Sequence, residues 1–194
     1  MLFRSIDPRK LPAAEKYLIA AGAWADEFLQ PYGLPPLVHP VRGQIVLFQL
    51  ARPALEGLVI VGHRYLVQRR DSRVLVGSTE EPEAGYAKAN TSEAVEELTR
   101  FARELVPGLR DAEIELTWSG LRPGSRDGLP YLGQVPGTKN LFAAVGHYRA
   151  GVQLSPGTGE VMKSMLLGER PPISVEAFRL DRSPANPSRP LFRA

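Results

Sequence analysis

The feature that most constrains the fold is a short apolar run followed by a glycine turn and a helical segment. Leu141–Val145 is predicted to be a buried strand that ends at Gly146 and His147. Ser155 is a candidate N-cap with Pro156 in the first helical position, and the helix is predicted to continue to Leu167, where Gly168 ends it. Because Arg149 lies between the strand and the helix N-terminus, the arrangement is typical of an anion-binding site.

A second arginine lies in a glycine-rich segment. Arg122 has Leu121 and Pro123 as neighbours, and the segment contains Gly120, Gly124 and Gly128. Glycines permit positive φ angles and let another group approach the backbone closely. On the sequence alone, a surface arginine in a turn fits this pattern as well as a binding residue does.

The middle of the chain alternates between strand-like runs and one amphipathic helix. The helix is predicted to be capped by Asn90 or Thr91 and to end before Pro107. The predicted strands are Gln44–Leu50, Leu58–Gly62, Tyr65–Gln68, Val74–Gly77 and Glu113–Trp118. A covering helix over such strands predicts an α+β fold in which a mixed or antiparallel sheet has one buried face.

The N-terminal part is predicted to contain a strand, a turn and a short helix. Tyr17–Ala21 reads as a strand that meets Gly22, and Ala23–Leu29 as a helix. The proline-rich residues 31–40 are expected to be an extended connection between domains. We expect an irregular segment before Tyr17 and a disordered tail from Ser183 onward.

Composition excludes several classes of site. The 194 residues include no cysteine, so disulfides, thiolate catalysis and Cys-ligated metal are excluded for them. The three histidines are widely spaced, which argues against a metal site. A net charge of +3 is weak support for nucleic-acid binding, and no apolar run reaches the length of a membrane span. We expect a cytoplasmic protein that binds neither nucleic acid nor membrane.

Two ordered runs carry a resemblance to a known family. Residues 118–133 contain Gly-Leu-Arg-Pro, and residues 146–158 contain Gly-His-Tyr-Arg followed by Ala-Gly-Val-Gln-Leu-Ser-Pro. Together with the Ala-Ala-Gly-Ala-Trp turn at 20–24, they resemble the C-terminal half of the FAD-dependent D-amino-acid oxidase family. Within that family the resemblance is greatest to the glycine oxidases of thiamine biosynthesis.

The resemblance implies a set of site residues. Arg122 and Arg149 would bind the substrate carboxylate, Tyr65 would lie over the substrate, and His63 would lie near it. The residues implied to contact a non-covalently bound FAD are Ala21, Gly22, Trp24, Gly120, Gly146, His147, Gly151, Val152, Gln153 and Leu154. Two positions depart from the family pattern, namely Gln68 in place of a proline and Ala150 in place of an asparagine. In a strand, His63 and Tyr65 would project to the same face because they are two positions apart. Without the resemblance, Tyr65 also fits an amphipathic sheet residue and His63 a surface residue at a strand end.

The Gly-x-Gly-x-x-Gly fingerprint that binds the ADP half of FAD does not occur in this sequence. We therefore expect residues 1–40 to be a segment of an FAD-binding, Rossmann-like domain and residues 41–119 to be a substrate-binding domain. Residues 120–182 would be a flavin-edge segment that returns to the FAD-binding domain, and 183–194 a tail.

Three interpretations of function remain open. The first is an oxidoreductase that converts glycine or another small amino acid to an imine by hydride transfer to FAD, giving the 2-oxo acid, ammonia and hydrogen peroxide. The second is a substrate-binding subunit that needs a partner chain carrying the FAD-binding half. The third is an inactive, truncated remnant. A homo-oligomer is compatible with each of them.

Overall fold

The computed structural model describes residues 12–183. The strands are β1 (Tyr17–Ile19), β2 (Val38–Gln49), β3 (Leu58–Val61), β4 (Arg64–Gln68), β5 (Arg73–Gly77), β6 (Glu113–Ser125), β7 (Tyr131–Gln134) and β8 (Leu141–Val145). The α-helices are α1 (Ala25–Leu29), α2 (Ser92–Leu105) and α3 (Gly151–Leu167). Among the described residues, no helix combines the length and the apolar character needed to cross a membrane.

The chain divides into two compact units, with boundaries after His39 and after Arg122. The second unit, from Pro40 to Arg122, contains most of a five-stranded sheet with the order β3-β4-β5-β2-β6. The first unit contains a three-stranded sheet with the order β1-β8-β7. The fold is therefore a mixed arrangement of two sheets with few helices.

Helix α2 covers one face of the five-stranded sheet, as predicted. The Thr91 hydroxyl accepts a hydrogen bond of 3.3 Å from the Ala94 amide, which caps the helix. Leu98 and Ala102 on the helix are fully buried against a core whose sheet residues are Val46, Phe48, Leu66, Val74 and Val76. Burial of a leucine side chain stabilises a fold by about 1.5–3 kcal/mol, so this helix face fixes which side of the sheet is covered.

The sheet of the second unit is antiparallel along β3, β4, β5 and β2. A tight turn at Arg69–Ser72 joins β4 to β5, and the Arg69 amide donates to the Arg73 carbonyl at 2.8 Å. Strands β4 and β5 therefore form a hairpin. Ser72 supplies the left-handed conformation that closes it, with φ of 60°.

The first unit is built around the predicted strand β8. It pairs in parallel with β1, with Tyr17 opposite Leu141, and antiparallel with β7. Tyr131, Val145 and Leu29 are buried together in its core. Because β1 and β8 are parallel, the turns that follow them leave the sheet at the same edge.

Two predicted boundaries are wrong. Helix α3 begins at Gly151, so Pro156 lies inside the helix and Ser155 is not its N-cap. Pro156 has no amide hydrogen for the Val152 carbonyl, and the Ser155 hydroxyl donates to that carbonyl at 2.8 Å instead. Strand β6 continues through Ser125, well past Trp118. Gly120 and Gly124 are strand residues, and of the glycines in that segment only Gly128 has a positive φ, of 78°.

The connection predicted at residues 31–40 is partly strand, because β2 begins at Val38. Residues 12–16 are irregular before β1, as expected. The remainder of the predicted irregular start, and the predicted tail beyond Ser183, lie outside the described residues.

Within the first unit, a buried ion pair holds the last described segment against the loop after β6. Arg182 donates to both carboxylate oxygens of Asp127, from Nε at 2.9 Å and from Nη2 at 2.7 Å. The two side chains are 8% and 1% exposed. The guanidinium also lies 3.6 Å from the centre of the Tyr131 ring. Arginine suits this position because its planar fork matches the carboxylate.

Replacing Arg182 with alanine leaves the Asp127 carboxylate buried without its cation. We expect Arg182→Ala to lower the free energy of unfolding by about 3–5 kcal/mol, measured by urea denaturation. Arg179→Ala is the matched control, because Arg179 pairs with Asp181 at the exposed surface. Equal stability of the two variants would contradict the importance of the buried pair.

Candidate functional site

The open face of the five-stranded sheet is the side opposite α2. Tyr65 and Ile45 are both paired with Gly77, and directly opposed residues project to the same face. Val46 and Val76, which alternate with these positions, belong to the core under α2. Tyr65, Ile45 and Gly77 therefore share the face opposite α2, together with Gly43, two residues before Ile45.

The guanidinium of Arg122 lies over Gly43 on this face. A side chain at position 43 would collide with both of its terminal nitrogens. Nη2 of Arg122 donates to the Ser78 hydroxyl at 2.6 Å, and Nη1 donates to the Thr79 carbonyl at 3.3 Å. These two hydrogen bonds orient the guanidinium on the sheet, and a group with five N–H donors in a planar fork is suited to binding an anion.

Tyr65 reaches over the same part of the sheet. A Cβ atom at Gly77 would lie 2.7 Å from the Tyr65 hydroxyl, so the absence of a side chain there makes room for the ring. Since Gly77 and Ser78 are consecutive, the ends of Tyr65 and Arg122 contact adjacent backbone positions. The structure thus brings together two of the predicted substrate residues.

His63 is placed differently from the prediction. It lies with Gly62 in the two-residue turn between β3 and β4, not in a strand two positions before Tyr65. The turn forms because Gly62 adopts a φ of 60°. The argument that strand alternation puts His63 and Tyr65 on one face is therefore wrong, and His63 is exposed.

A buried polar network holds the segment that contacts Arg122. Gln44 is fully buried, and its backbone amide donates to the Thr79 hydroxyl at 2.9 Å. The Gln44 side chain donates to Glu81 at 2.8 Å and accepts from the Thr91 amide at 2.8 Å, at the N-cap of α2. Burial raises the pKa of Glu81, but hydrogen bonds from Thr79, Gln44 and Arg42 outweigh it and the net pKa is lowered.

The parallel strands β1 and β8 end at one edge of the first unit's sheet. Residues 20–24 follow β1, and residues 146–151 follow β8 and lead into α3. Predicted cofactor residues at this edge are Ala21, Gly22, Trp24, Gly146, His147, Gly151, Val152, Gln153 and Leu154. Gly120 belongs to the second unit, in β6. The carboxyl edge of parallel strands is a common ligand site in α/β sheets.

The turn between β8 and α3 has an unusual backbone. Gly146 has φ of 77°, which glycine adopts readily, but Tyr148 has φ of 49°, which is rare for an aromatic residue. Nε2 of His147 lies 3.0 Å from the Thr158 hydroxyl and ties the turn to the second turn of the helix. The Arg149 guanidinium lies 5.8 Å from the Tyr148 ring centre.

The N-terminus of α3 is open. Among the described residues, no side chain caps it, and Val152 in its first turn is 88% exposed. The first amides of a helix carry partial positive charge and have no intrahelical acceptor. The edge therefore offers hydrogen-bond donors and an apolar side chain to a ligand.

Sequence reasoning missed Gly43, Ser78, Thr79 and Thr158 as parts of these sites. Ser78 and Arg122 are separated by 44 positions, so no local periodicity connects them. The run Val-Gly-Ser-Thr-Glu, in which a strand gives way to small polar residues, is the one signal that marks this position.

His147 gives the site a testable pH dependence. Burial lowers the pKa of His147 below its usual value of 6.5, so the unfolded chain binds the proton more readily than the folded chain. Its contribution to stability is complete above pH 6.5 and is lost as pH falls through the folded pKa. We expect thermal unfolding between about pH 7 and pH 5 to show a steeper loss in wild type than in His147→Gln, whose amide does not titrate. Identical pH profiles would contradict this account.

Comparison with known proteins identifies the family of this chain. The family model for FAD dependent oxidoreductases matches residues 5–165. Glycine oxidase from Pseudomonas putida is 44% identical over 161 residues, which are 83% of this chain and 44% of that enzyme. Glycine oxidase from Bacillus licheniformis is 35% identical over 182 residues, which are 89% of this chain and 47% of that enzyme.

A solved structure has the same fold. The crystal structure of glycine oxidase from Geobacillus kaustophilus superposes with a TM-score of 0.85 at 36% identity, covering 89% of this chain and 47% of that one. The chain thus spans about half the length of the relatives it matches. The resemblance found in the sequence is confirmed, and the chain belongs to the FAD-dependent oxidoreductase family that includes the glycine oxidases.

Proposed function

We propose that this chain provides the substrate-binding sheet and the flavin-edge segments of an FAD-dependent amino-acid oxidase of the glycine oxidase type. The observation that carries the proposal is Arg122, held by Ser78 and Thr79 on the open face of the sheet beside Tyr65. An oriented guanidinium on an uncovered sheet face is suited to a small carboxylate. The family's FAD dependence supports the reaction class.

In this proposal the oriented Arg122 guanidinium binds the substrate carboxylate. The family resemblance also assigns Arg149 and His63 to substrate binding and Tyr65 to a position over the substrate. Arginine keeps its charge at any working pH, so carboxylate binding does not depend on its titration. The role of these residues is to orient the bound amino acid for reaction and to exclude unproductive orientations of it.

The β1/β8 edge and the first turn of α3 fit the flavin. The open amides of Gly151–Leu154 and the positive end of the helix suit a group that gains negative charge on reduction. Trp24 and Val152 offer apolar surface to a planar ring. FAD, held there without a covalent link, would supply the two-electron acceptor for oxidation of the amine to an imine. Hydrolysis of the imine would give the 2-oxo acid and ammonia, and dioxygen would take up the two electrons to give hydrogen peroxide.

The two units receive separate roles in the proposal. The first unit is assigned to the FAD-binding domain and the second to the substrate-binding domain, with β2 and β6 connecting them. A small amino acid such as glycine is the proposed substrate, and thiamine precursor supply in the cytoplasm is the proposed setting. A partner chain that carries the dinucleotide-binding half is the alternative to activity of this chain alone, and a homo-oligomer is compatible with both.

Flavin retention tests the reaction class. We expect the purified chain, incubated with FAD and passed through gel filtration, to retain visible flavin absorbance that glycine or another small amino acid bleaches without oxygen. Bleaching by glycine but not by acetate is the control for redox chemistry. A protein that never retains FAD would contradict independent activity and would favour a subunit that needs a separate FAD-binding chain.

Two variants test the carboxylate site. Arg122→Ala should weaken acetate binding, measured by NMR titration of the 194-residue chain, by roughly 10- to 150-fold, because a hydrogen bond to a charged group contributes about 1.5–3 kcal/mol. Gly43→Ala should also weaken binding, because its methyl group displaces the flexible end of Arg122 and leaves the backbone in place.

The control for Gly43→Ala is Gly57→Ala, which meets open space. It should bind acetate as wild type does. Unchanged affinity in both Arg122→Ala and Gly43→Ala would show that this face does not bind the carboxylate.

A further inference from the structure

The strand pairing beside Arg122 contains one extra residue. Ile45 is paired with Gly77, and the next pair beyond it is Arg42 with Glu81, whose amides and carbonyls exchange two hydrogen bonds of 3.1 and 3.0 Å. Between these pairs, Gly43 and Gln44 face the three residues 78–80. This is a β-bulge, a feature that often re-aims a side chain beside a functional site.

Ser78 is the first residue of the bulge and is fully buried. A buried hydroxyl is costly unless it is hydrogen-bonded, and Ser78 Oγ accepts from Arg122 Nη2 at 2.6 Å. The position thus places a small polar group directly against the substrate-binding cation.

The rest of the bulge keeps Ser78 in place. The Thr79 hydroxyl accepts from the Gln44 amide, so this amide has an acceptor although the bulge interrupts the regular ladder. The Thr79 carbonyl accepts from Arg122 Nη1 at 3.3 Å. Glu81 then anchors the segment to Arg42 and Gln44. Ser78 therefore projects from a fixed backbone.

We propose that Ser78 is a positioning residue that sets the orientation of the Arg122 guanidinium for the carboxylate, an inference that rests on the proposed function of Arg122. Ser78 acts through Arg122 and need not touch the substrate. With Ser78 in place, the bulge holds the guanidinium in one orientation, and in this proposal that orientation presents it to the carboxylate. Without the hydroxyl, the cation remains but its orientation is no longer fixed.

The test is a double-mutant cycle on acetate binding to the full 194-residue chain, followed by NMR. Ser78→Ala should weaken acetate binding by about 3- to 30-fold. The same change made in an Arg122→Ala background should have no further effect, because a positioning residue acts only through the group it positions. Ser119→Ala removes a hydroxyl from the same strand as Arg122, where it donates to the Lys88 carbonyl, and should bind acetate as wild type does.

Two results would overturn the inference in different ways. Normal acetate affinity in Ser78→Ala, with strong loss in Arg122→Ala, would remove Ser78 from the site and leave the proposed function intact. An equal effect of Ser78→Ala with and without Arg122 would show a general structural role for Ser78. No acetate binding to wild type, or no effect of Arg122→Ala, would overturn the proposed function and this inference together.

A second measurement does not depend on ligand or on the folding of Ser78→Ala. In the wild-type chain, the Arg122 guanidinium should give separate, slowly exchanging terminal N–H signals at low temperature, because Nη1 and Nη2 are each held by an acceptor. Signals averaged by free rotation would overturn the role of Ser78.

Discussion

The packing of the Arg122 guanidinium against Gly43 is the contact on which the open face depends. A side chain at position 43 would occupy the space of the guanidinium, so the strand must carry glycine where its neighbours carry branched or polar residues. In the same way, the absence of a side chain at Gly77 leaves room for the Tyr65 ring. Glycine weakens a strand, and it is retained in strands where another group must approach the backbone closely.

Placing a cation on a sheet requires polar partners beneath it. Ser78, the Thr79 carbonyl and Gln44 provide them in one connected network that ends at the cap of α2. The apolar face of α2 stabilises the same strands from the other side. The packing under α2 therefore stabilises the strands, and the bulge at the edge of this packing holds the Arg122 guanidinium in a fixed orientation.

Local patterns predicted the elements that are governed by short-range chemistry. Strand β8 and the capped, amphipathic helix α2 follow from apolar periodicity and from Thr91, and both have the predicted character. The predicted start of α3 was wrong because Ser155-Pro156 is a typical helix N-terminus. In the structure Pro156 lies inside the helix, and the Ser155 hydroxyl donates to the carbonyl that Pro156 leaves without an amide donor. The strand alternation that put His63 on the same face as Tyr65 was wrong because Gly62 and His63 form a two-residue turn between β3 and β4.

The site was predictable only where family resemblance or a turn signal marked it. Family resemblance pointed to Arg122 and Tyr65, but the residues that contact them were not predicted. Ser78 and Gly43 contact Arg122, and Gly77 lies against Tyr65, across long sequence separations, and a bulge shifts the strand register by one residue. Pairing and register depend on the whole sheet, which no short window of sequence contains.

The most direct measurement is a crystal structure of the chain grown with acetate. The account predicts a carboxylate on the open face of the five-stranded sheet, with its oxygens about 2.7–2.9 Å from the Arg122 nitrogens while Ser78 and Thr79 keep their hydrogen bonds to the guanidinium. Acetate bound elsewhere, with no carboxylate at Arg122, would contradict it.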